Sequence, residues 1–353
     1  MPKDKLTPRE RWLAVLNREI PDRVPLDYWA TGEATKKLMD HLGAKSFEEV
    51  QQRLHLDPIA TVGGRYVGPK PPENEDELGC RYQNVDYGTG VYRECVYNPL
   101  AQFKSVDEIE ANYRWPDPNW WDYSHIPAQI KGKDHLPIRG GGSEPFLIYK
   151  ELRGMEQAFM DLIENPEIVH YCLGKLFDLA YESTRRIYEA IPGKVMISYV
   201  AEDLGSQESL LMSPAQIREF LLPGMKRMMD LVHQAGAYVF HHTDGAVRPI
   251  IPDLIEMGIN VLNPIQWRCK GMDREGLKRD FGHLIAFHGA VDNQYTLAFG
   301  STKEVKQEVL DNIRILGSGG GYFLAPCHNI QAVSPPENVV TMYDAAYENG
   351  WYC

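Results

Sequence analysis

The sequence predicts an α/β fold of the (β/α)8 type, a TIM barrel, because apolar runs typical of buried strands alternate with amphipathic helical stretches. Eight such apolar runs can be counted, and eight units fit a barrel better than an open doubly wound sheet. The open sheet is the alternative, but no G-x-G-x-x-G motif follows the first run. The predicted strands are 24–29, 56–62, 135–139, 195–201, 237–242, 259–264, 284–288 and 321–326.

Local signals place several helices between these strands. Thr7 is a predicted N-cap, with Pro8 at the first helical position and Glu10 completing a capping box. A long helix is predicted over 166–191, and the pair Ser213-Pro214 begins another.

We predict one domain over 1–353, in which residues 65–125 form a loop-rich insertion after the second strand. This stretch is rich in Pro, Asn, Asp, Tyr and Trp and has little periodicity. The 353 residues, 43% of them hydrophobic, can bury one large core.

Composition also limits the classes of partner. The formal net charge of −12 argues against nucleic acid as the main partner. No apolar run approaches eighteen residues and no signal peptide is visible, so we predict a cytoplasmic protein with no membrane partner. The six cysteines include no C-x-x-C pair, which indicates neither a disulfide scaffold nor a self-contained zinc module.

The ends of the predicted strands carry side chains able to bind a metal, transfer protons or stack on a ligand. In a TIM barrel, catalytic groups lie at the carboxyl ends of the strands. The sharpest group is His242, Asp244 and Cys327, because imidazole, carboxylate and thiolate together suit tetrahedral Zn²⁺. Alternatively, His242 and Asp244 hydrogen-bond each other, and Cys327 is a small buried hydrophobic residue.

Three more strand-end residues are predicted to be catalytic. Glu202 and Asp203 are adjacent in a strand, so their side chains point to opposite sides; one is predicted to face the barrel mouth as a proton carrier or ligand, and the other to cap the following turn. His328 either orients the substrate or acts as a fourth metal ligand. His241 is expected to be a packing neighbour of His242.

Predicted substrate-binding residues surround the barrel mouth. They are Tyr28, Trp29, Tyr66, Arg139, Gln266 and His288. The aromatic residues either cover an aromatic or methylated ligand or give the long loop a core of its own. Arg65, Arg81 and Arg139 either bind a carboxylate in bidentate fashion or form surface ion pairs. His288 either contacts the substrate or supports a residue that does.

The chain resembles the uroporphyrinogen decarboxylase-like superfamily over almost its full length. The segments that carry the resemblance are TPRERWLAVLNREIPDRVPLD, HHTDGAVRPIIPDLIEMGINVLNPIQ, AFHGAVDNQ and GYFLAPCHNIQAVSPPENV. The resemblance implies a TIM barrel and one of two activities. True decarboxylases have an R-Q-A-G-R stretch after the first strand and an F-S-D-I aspartate after the second. Both are missing here, so decarboxylation of a tetrapyrrole is not expected, although His328 falls where the late histidine of the decarboxylases would lie.

The other branch of the superfamily contains the corrinoid-linked methyltransferases, whose zinc motif is H-x-C, a carboxylate on the next strand and a late Cys. This sequence is similar in its order of His242, Asp244, Gln266 and Cys327, with Asp244 in place of the first Cys and Gln266 in place of the usual Glu. A site with a single thiolate should favour an oxygen-bound methyl donor over a thiol. Alternatively, the zinc has been lost.

The resemblance therefore implies a methyltransferase that performs O-demethylation of a small methylated donor, such as an aryl methyl ether, with the help of Zn²⁺. The methyl group would pass to a corrinoid carried on a separate protein, because this chain has no room for a corrinoid-binding domain. A homodimer is compatible with the sequence. The alternatives are a decarboxylase acting on a smaller acid and a non-catalytic ligand-binding barrel.

Overall fold

A parallel β-sheet lies at the centre of the computed structural model, which describes residues 4–88 and 90–352. Its strands and the shorter ones beside it are β1 (Ala60–Val62), β2 (Arg65–Tyr66), β3 (Arg81–Asp86), β4 (Val91–Tyr97), β5 (Trp121–Asp122), β6 (Ile138–Ser143), β7 (Ile197–Val200), β8 (Tyr238–His242), β9 (Val261–Ile265), β10 (Ala286–Val291) and β11 (Tyr322–Pro326). The central sheet has seven strands in the order β1-β6-β7-β8-β9-β10-β11, and each neighbouring pair is parallel.

Helices precede the first strand and connect the later strands of the central sheet, as the crossover connections of a parallel sheet require. They are α1 (Pro8–Leu16), α2 (Gly32–Leu42), α3 (Phe47–Arg53), α4 (Val106–Asn112), α5 (Ile126–Gln129), α6 (Pro145–Arg153), α7 (Met155–Glu164), α8 (Pro166–Ala190), α9 (Pro214–Gln216), α10 (Leu222–Gln234), α11 (Ile251–Met257), α12 (Arg274–Phe281), α13 (Thr296–Phe299), α14 (Thr302–Ile315) and α15 (Pro336–Asn349). The predicted capping box of Thr7 and Glu10 is confirmed at the start of α1, and Ser213 caps α9 in the same way.

Seven of the eight predicted strands coincide with strands of the central sheet, and the first one does not form a regular strand. In the segment 24–29, Leu26 makes only a single parallel bridge, to Leu324 of β11. Pro25 lacks an N–H group, which limits the ladder that this segment can form. Asp27 N donates to Leu324 O at 3.0 Å, and Asp57 N donates to Leu26 O at 2.8 Å. The segment thus lies between β11 and the approach to β1, which is consistent with a TIM-type barrel.

A buried ion cluster holds this segment in place. The carboxylate of Asp57 accepts hydrogen bonds from Arg11 of α1, from the Arg23 Nη1 at 2.8 Å and from the Leu26 N at 2.8 Å. The Asp57, Arg11 and Arg23 side chains are only 1%, 1% and 2% exposed. Asp22 adds a further bond to Arg11 Nε at 2.7 Å. One carboxylate therefore joins α1, the first segment and the approach to β1.

The core has two parts. The larger part lies between the sheet and its helices, and the smaller one lies on the concave side of the sheet, where alternate residues of the strands point. Trp12 of α1 is fully buried in this smaller part, with its ring centroid 4.3 Å from that of Phe323 and 6.4 Å from that of Phe240. Helix α1 therefore closes the amino-terminal end of the curled sheet.

The residues between β1 and β6 contain short elements outside the central sheet. Strands β2 and β5 form one antiparallel pair, β3 and β4 form a hairpin, and α4 lies between them and β5. Tyr66, Trp120 and Trp121 pack against each other, with ring centroids 6.3 and 5.4 Å from Tyr66. These aromatic residues thus contribute to a local core of the loop region.

No helix within residues 4–88 and 90–352 is both long enough and apolar enough to cross a membrane. The predicted domain of residues 1–353 also includes residues 1–3, 89 and 353, which lie outside the described part of the chain.

We predict that Asp57→Ala lowers the free energy of unfolding by about 3–5 kcal/mol, because it removes the one fully buried carboxylate that two buried guanidinium groups share. Chemical denaturation followed by circular dichroism measures this change. The control is Asp178→Ala, which removes the exposed ion pair with Arg227 and should cost less than about 1 kcal/mol. Equal losses in the two variants would contradict a special role for the buried cluster.

Candidate metal centre

Three potential metal ligands meet at the carboxyl edge of the sheet, where parallel strands end side by side. Asp203 follows β7, His242 is the last residue of β8, and Asp244 lies two residues further along. The His242 Nε2 is 3.5 Å from Asp203 Oδ1 and 3.9 Å from Asp244 Oδ1, and the three potential ligand atoms all lie within 4.8 Å of one another. Two carboxylates and one imidazole form a plausible donor set for a divalent cation. We call these three residues the metal triad.

The electrostatics of the metal triad favour positive charge at its centre. Burial alone would lower the pKa of His242, but the contacts with Asp203 and Asp244 raise it above its ordinary value. Burial opposes ionisation of Asp203, yet the bond to His242 lowers the pKa of that carboxyl group. Burial raises the pKa of Asp244, against the attraction of His242. A divalent cation would supply the positive charge that the two carboxylates otherwise obtain from a proton on His242.

A chain of buried hydrogen bonds fixes the orientation of His242. Its Nδ1 lies 2.7 Å from Asn263 Oδ1, the Asn263 Nδ2 lies 2.6 Å from His288 Nδ1, and the His288 Nε2 lies 3.0 Å from Asp27 Oδ2. The Asn263 and His288 side chains are fully buried, and Asp27 is 7% exposed. We call this chain of four residues the histidine relay.

The direction of each hydrogen bond in the histidine relay follows from the chemistry of its members. A carboxylate only accepts, so the His288 Nε2–H donates to Asp27, and the Nδ1 of a neutral His288 accepts from the Asn263 amide N–H. The amide oxygen of Asn263 then accepts from the Nδ1–H of His242. The Nε2 of a neutral His242 is therefore unprotonated and directed at the metal triad, which is the tautomer that a metal ligand needs.

Trp29 contacts the histidine relay at both ends, at Asp27 and at His242. Its Nε1 donates to Asp27 Oδ2 at 2.8 Å, and its ring is stacked on the His242 imidazole with centroids 6.0 Å apart. Tyr199 of β7 covers His242 in a similar stacked arrangement, with centroids 5.5 Å apart. The imidazole thus has aromatic walls and a fixed hydrogen-bond partner.

Cys327, predicted as a third ligand, does not belong to the metal triad. Its Sγ donates to Ile265 O at 3.1 Å, and burial raises the pKa of the thiol well above its usual range. Gln266 lies between the two features: its Nε2 donates to Asp244 Oδ1 at 2.9 Å, and its Oε1 accepts from Gly245 N at 2.8 Å. Gln266 therefore positions Asp244, and Cys327 lies outside the metal triad as a buried thiol.

The adjacent acids Glu202 and Asp203, which follow the end of β7 at Val200, have different partners. Asp203 joins the metal triad, whereas Glu202 is 1% exposed and accepts from Phe146 N at 2.6 Å, at the start of α6. Burial raises the pKa of Glu202 well above its ordinary value, against the effect of this hydrogen bond.

His328 lies at the rim, with its Nε2 4.0 Å from Asp244 Oδ2 and 46% of its side chain exposed. His241 is fully buried and bonds through Nδ1 to Val200 O at 2.7 Å.

A cavity of about 810 Å³ shares Trp29 and Tyr199 with the surroundings of His242, although no member of the metal triad lines it. Tyr28, Trp29 and Arg139 line it, as does Tyr199, so the rings that contact His242 also form part of the cavity wall. The other predicted substrate-binding residues lie elsewhere. Tyr66 packs against the two tryptophans of the loop region, Gln266 bonds to Asp244, and His288 belongs to the histidine relay.

Several residues of this site were not assigned a role from the sequence. Asn263 is the one polar side chain of the buried run VLNPI, and this isolated amide is a signal that could have been used. Asp27 interrupts an apolar run in the same way, within VPLDYW. Tyr199 carries no such signal, because tyrosine is common in strands.

The fold and the position of the metal triad define an α/β enzyme of the TIM-barrel type. A methyltransferase from Methanosarcina mazei has a similar structure, with a TM-score of 0.69 and 20% sequence identity over 98% of this chain and 99% of that one. At this identity the likeness concerns the fold.

The chain belongs to the uroporphyrinogen decarboxylase (URO-D) family, whose sequence model matches residues 126–349, more than half of the chain. Two curated relatives carry the name uroporphyrinogen decarboxylase. The one from Anaeromyxobacter sp. (strain Fw109-5) is 25% identical over 78% of this chain and 76% of its own length. The one from Anaeromyxobacter dehalogenans (strain 2CP-C) is 23% identical over 97% of this chain and 99% of its own length.

We predict that Asn263→Leu weakens zinc binding by about 10- to 100-fold, because His242 loses the partner that fixes its tautomer. Isothermal titration with ZnCl₂ at constant pH measures the affinity. Asn312→Leu is the matched control, since Asn312 is also fully buried but bonds to Ala290 O, outside the histidine relay. Unchanged zinc affinity in folded Asn263→Leu would exclude a role for the relay in metal binding.

Proposed function

We propose that this protein is a methyltransferase that removes a methyl group from a small methylated donor, namely an aryl methyl ether, and passes it to the cobalt of a corrinoid on a separate protein. The observation that carries the proposal is that Trp29 and Tyr199, which stack on His242 of the metal triad, also form part of an aromatic cavity wall. Membership in the URO-D family and the shared fold with the methyltransferase from Methanosarcina mazei support this class of activity.

The donor atoms of the metal triad fit Zn²⁺. Carboxylate oxygen and imidazole nitrogen are both ordinary zinc ligands, and the relay leaves the Nε2 of His242 available. When bound, zinc would act as a Lewis acid on the ether oxygen of the donor. A set with two carboxylates and no thiolate is harder than the predicted set with Cys327, and this favours an oxygen-bound methyl group more strongly.

The residues of this chain supply binding and proton transfer. Trp29 and Tyr199 would hold the aromatic ring of the donor next to His242. As the bond between the methyl carbon and the ether oxygen breaks, that oxygen needs a proton to leave as a phenol. His328 would deliver it, because its half-exposed imidazole lies at the rim, 4.0 Å from Asp244, and can exchange protons with water. Glu202 is engaged with α6 and would stay outside the chemistry.

A decarboxylase acting on a smaller acid is the second candidate. It is favoured by the name of the two curated relatives and by the presence of His328 at the position expected for the late histidine of the decarboxylases. Such an enzyme would release carbon dioxide without any corrinoid.

We further propose that the chain forms one closed (β/α)8 barrel. The segment around Leu26 would serve as its first strand, because it bonds to β11 on one side and to the approach of β1 on the other. Residues 65–125 would then be an insertion after the second barrel strand, as the sequence predicts.

We predict that the zinc-loaded protein transfers methyl from an aryl methyl ether to free cob(I)alamin, used in place of the corrinoid partner. Formation of methylcobalamin is followed by absorbance and the phenol by chromatography. His242→Ala should lower the rate by at least about 100-fold, because it removes a proposed metal ligand. His170→Ala is the control, since His170 is 52% exposed and its contacts, Glu219 and Phe220, do not belong to the metal triad.

Other outcomes of the same assay are informative. Release of carbon dioxide from an aromatic acid without cobalamin would replace the methyltransferase with the decarboxylase. Ligand binding without turnover of either kind, unchanged in His242→Ala, would indicate a non-catalytic barrel.

A further inference from the structure

In the part of the chain that the structure describes, one arginine that lines this cavity has no ionic partner. Arg139 lies in β6, where it is in register with Thr61 of β1 and Ile197 of β7, and it is half-buried. Within residues 4–88 and 90–352, its guanidinium group has no carboxylate within ion-pair distance and no hydrogen-bond acceptor. A guanidinium group on a strand of a packed sheet has little freedom to reach a distant acid, so its natural partner is a ligand in the cavity.

The other two arginines that the sequence offered as carboxylate ligands are already paired. Arg65 bonds to Asp122 at 2.9 Å, and Arg81 bonds to Glu75 at 2.8 Å. Both lie on the loop region outside the central sheet, with side chains 66% and 51% exposed. Arg65 and Arg81 therefore form surface ion pairs, which is the alternative to carboxylate binding considered for them. Of the three arginines, Arg139 is left as the candidate for ligand binding.

The acids that line the cavity do not neutralise Arg139. The Asp27 carboxylate accepts from Trp29 and His288, and the Asp57 carboxylate is enclosed by Arg11 and Arg23. Neither carboxylate is bonded to Arg139, whose guanidinium group is therefore left open to a ligand in a protein whose formal net charge is −12. Such a local cation selects an anionic ligand against the overall field of the protein.

The remaining walls define the shape and polarity of that ligand. Tyr28, Trp29, Phe47 and Tyr199 supply aromatic surface. A cavity of about 810 Å³ is within the usual range for a small organic ligand. A tetra-acid would need several cations, whereas Arg139 is the one arginine or lysine among the residues that line this cavity in the described part of the chain.

We propose that the cavity binds an aromatic monocarboxylate, with the carboxylate held in bidentate fashion by Arg139 and the ring packed against Trp29 and Tyr199. This inference rests on the proposed function for the identity of the methyl donor, which becomes a methoxy-substituted aromatic acid. Binding of the acid itself requires neither a methyl group nor a metal.

Isothermal titration with 4-methoxybenzoate, benzoate and the uncharged 4-methoxybenzamide tests the proposal. The wild type should bind both acids, and 4-methoxybenzoate about 10- to 100-fold more tightly than the amide, because the charge-assisted pair is made only by the acid. Arg139→Gln should remove this preference while its affinity for the amide stays at the wild-type value, which also shows that the variant is folded. Arg65→Gln is the matched control and should bind all three ligands as the wild type does.

Two results would overturn the proposal: equal affinity of the wild type for the acid and the amide, or full retention of the preference in Arg139→Gln. The proposed function is tested by different results from those that test this inference. If benzoate binds through Arg139 but no methyl group is transferred, the inference stands and the methyltransferase does not. If uncharged anisole donates methyl while no acid is preferred, the methyltransferase stands and the inference does not.

Discussion

The carboxylate of Asp57 is the group on which the arrangement of this protein depends most. It pairs with the buried guanidinium groups of both Arg11 and Arg23 and accepts from the backbone of Leu26. Burying these charges is favourable only because each has partners of opposite charge and satisfied hydrogen bonds. The result is that a segment containing a proline, too irregular to form a full strand, is held beside the sheet at a defined position.

The segment held by Asp57 also carries the first members of the site. Asp27 begins the histidine relay, and Trp29 bonds to Asp27 and stacks on His242. The tautomer of His242 is thus determined by a residue of the segment beside β11, through His288 and Asn263. The position of the segment beside β11 and the orientation of His242 are consequences of the same set of contacts.

Much of the architecture could be predicted from the sequence, because strand and helix periodicities are local. The ends of β7 and β8 were predicted within a residue or two, and so Asp203, His242 and Asp244 were predicted at one edge of the sheet. Alternation along a strand predicts that Glu202 and Asp203 diverge, but not which of them faces the mouth, since that depends on the neighbouring α6.

Other features of the site depend on contacts between distant parts of the chain. Cys327 lies at a strand end as expected, yet the direction of its Sγ depends on the backbone of Ile265, 62 residues away. The bond between Asp27 and His288 spans 261 residues, so no local pattern contains it. Whether Arg139 has an ionic partner likewise depends on all the residues around the cavity, and none of the described residues pairs with it.

We propose that His242 and two carboxylates, without a thiolate, form the metal centre. X-ray absorption spectroscopy at the zinc edge of the loaded protein identifies the ligand atoms. We expect a first shell of oxygen and nitrogen atoms at about 2.0–2.2 Å, which is lost in His242→Ala. A sulfur atom at about 2.3 Å would contradict it, because that distance is the signature of a thiolate ligand such as Cys327.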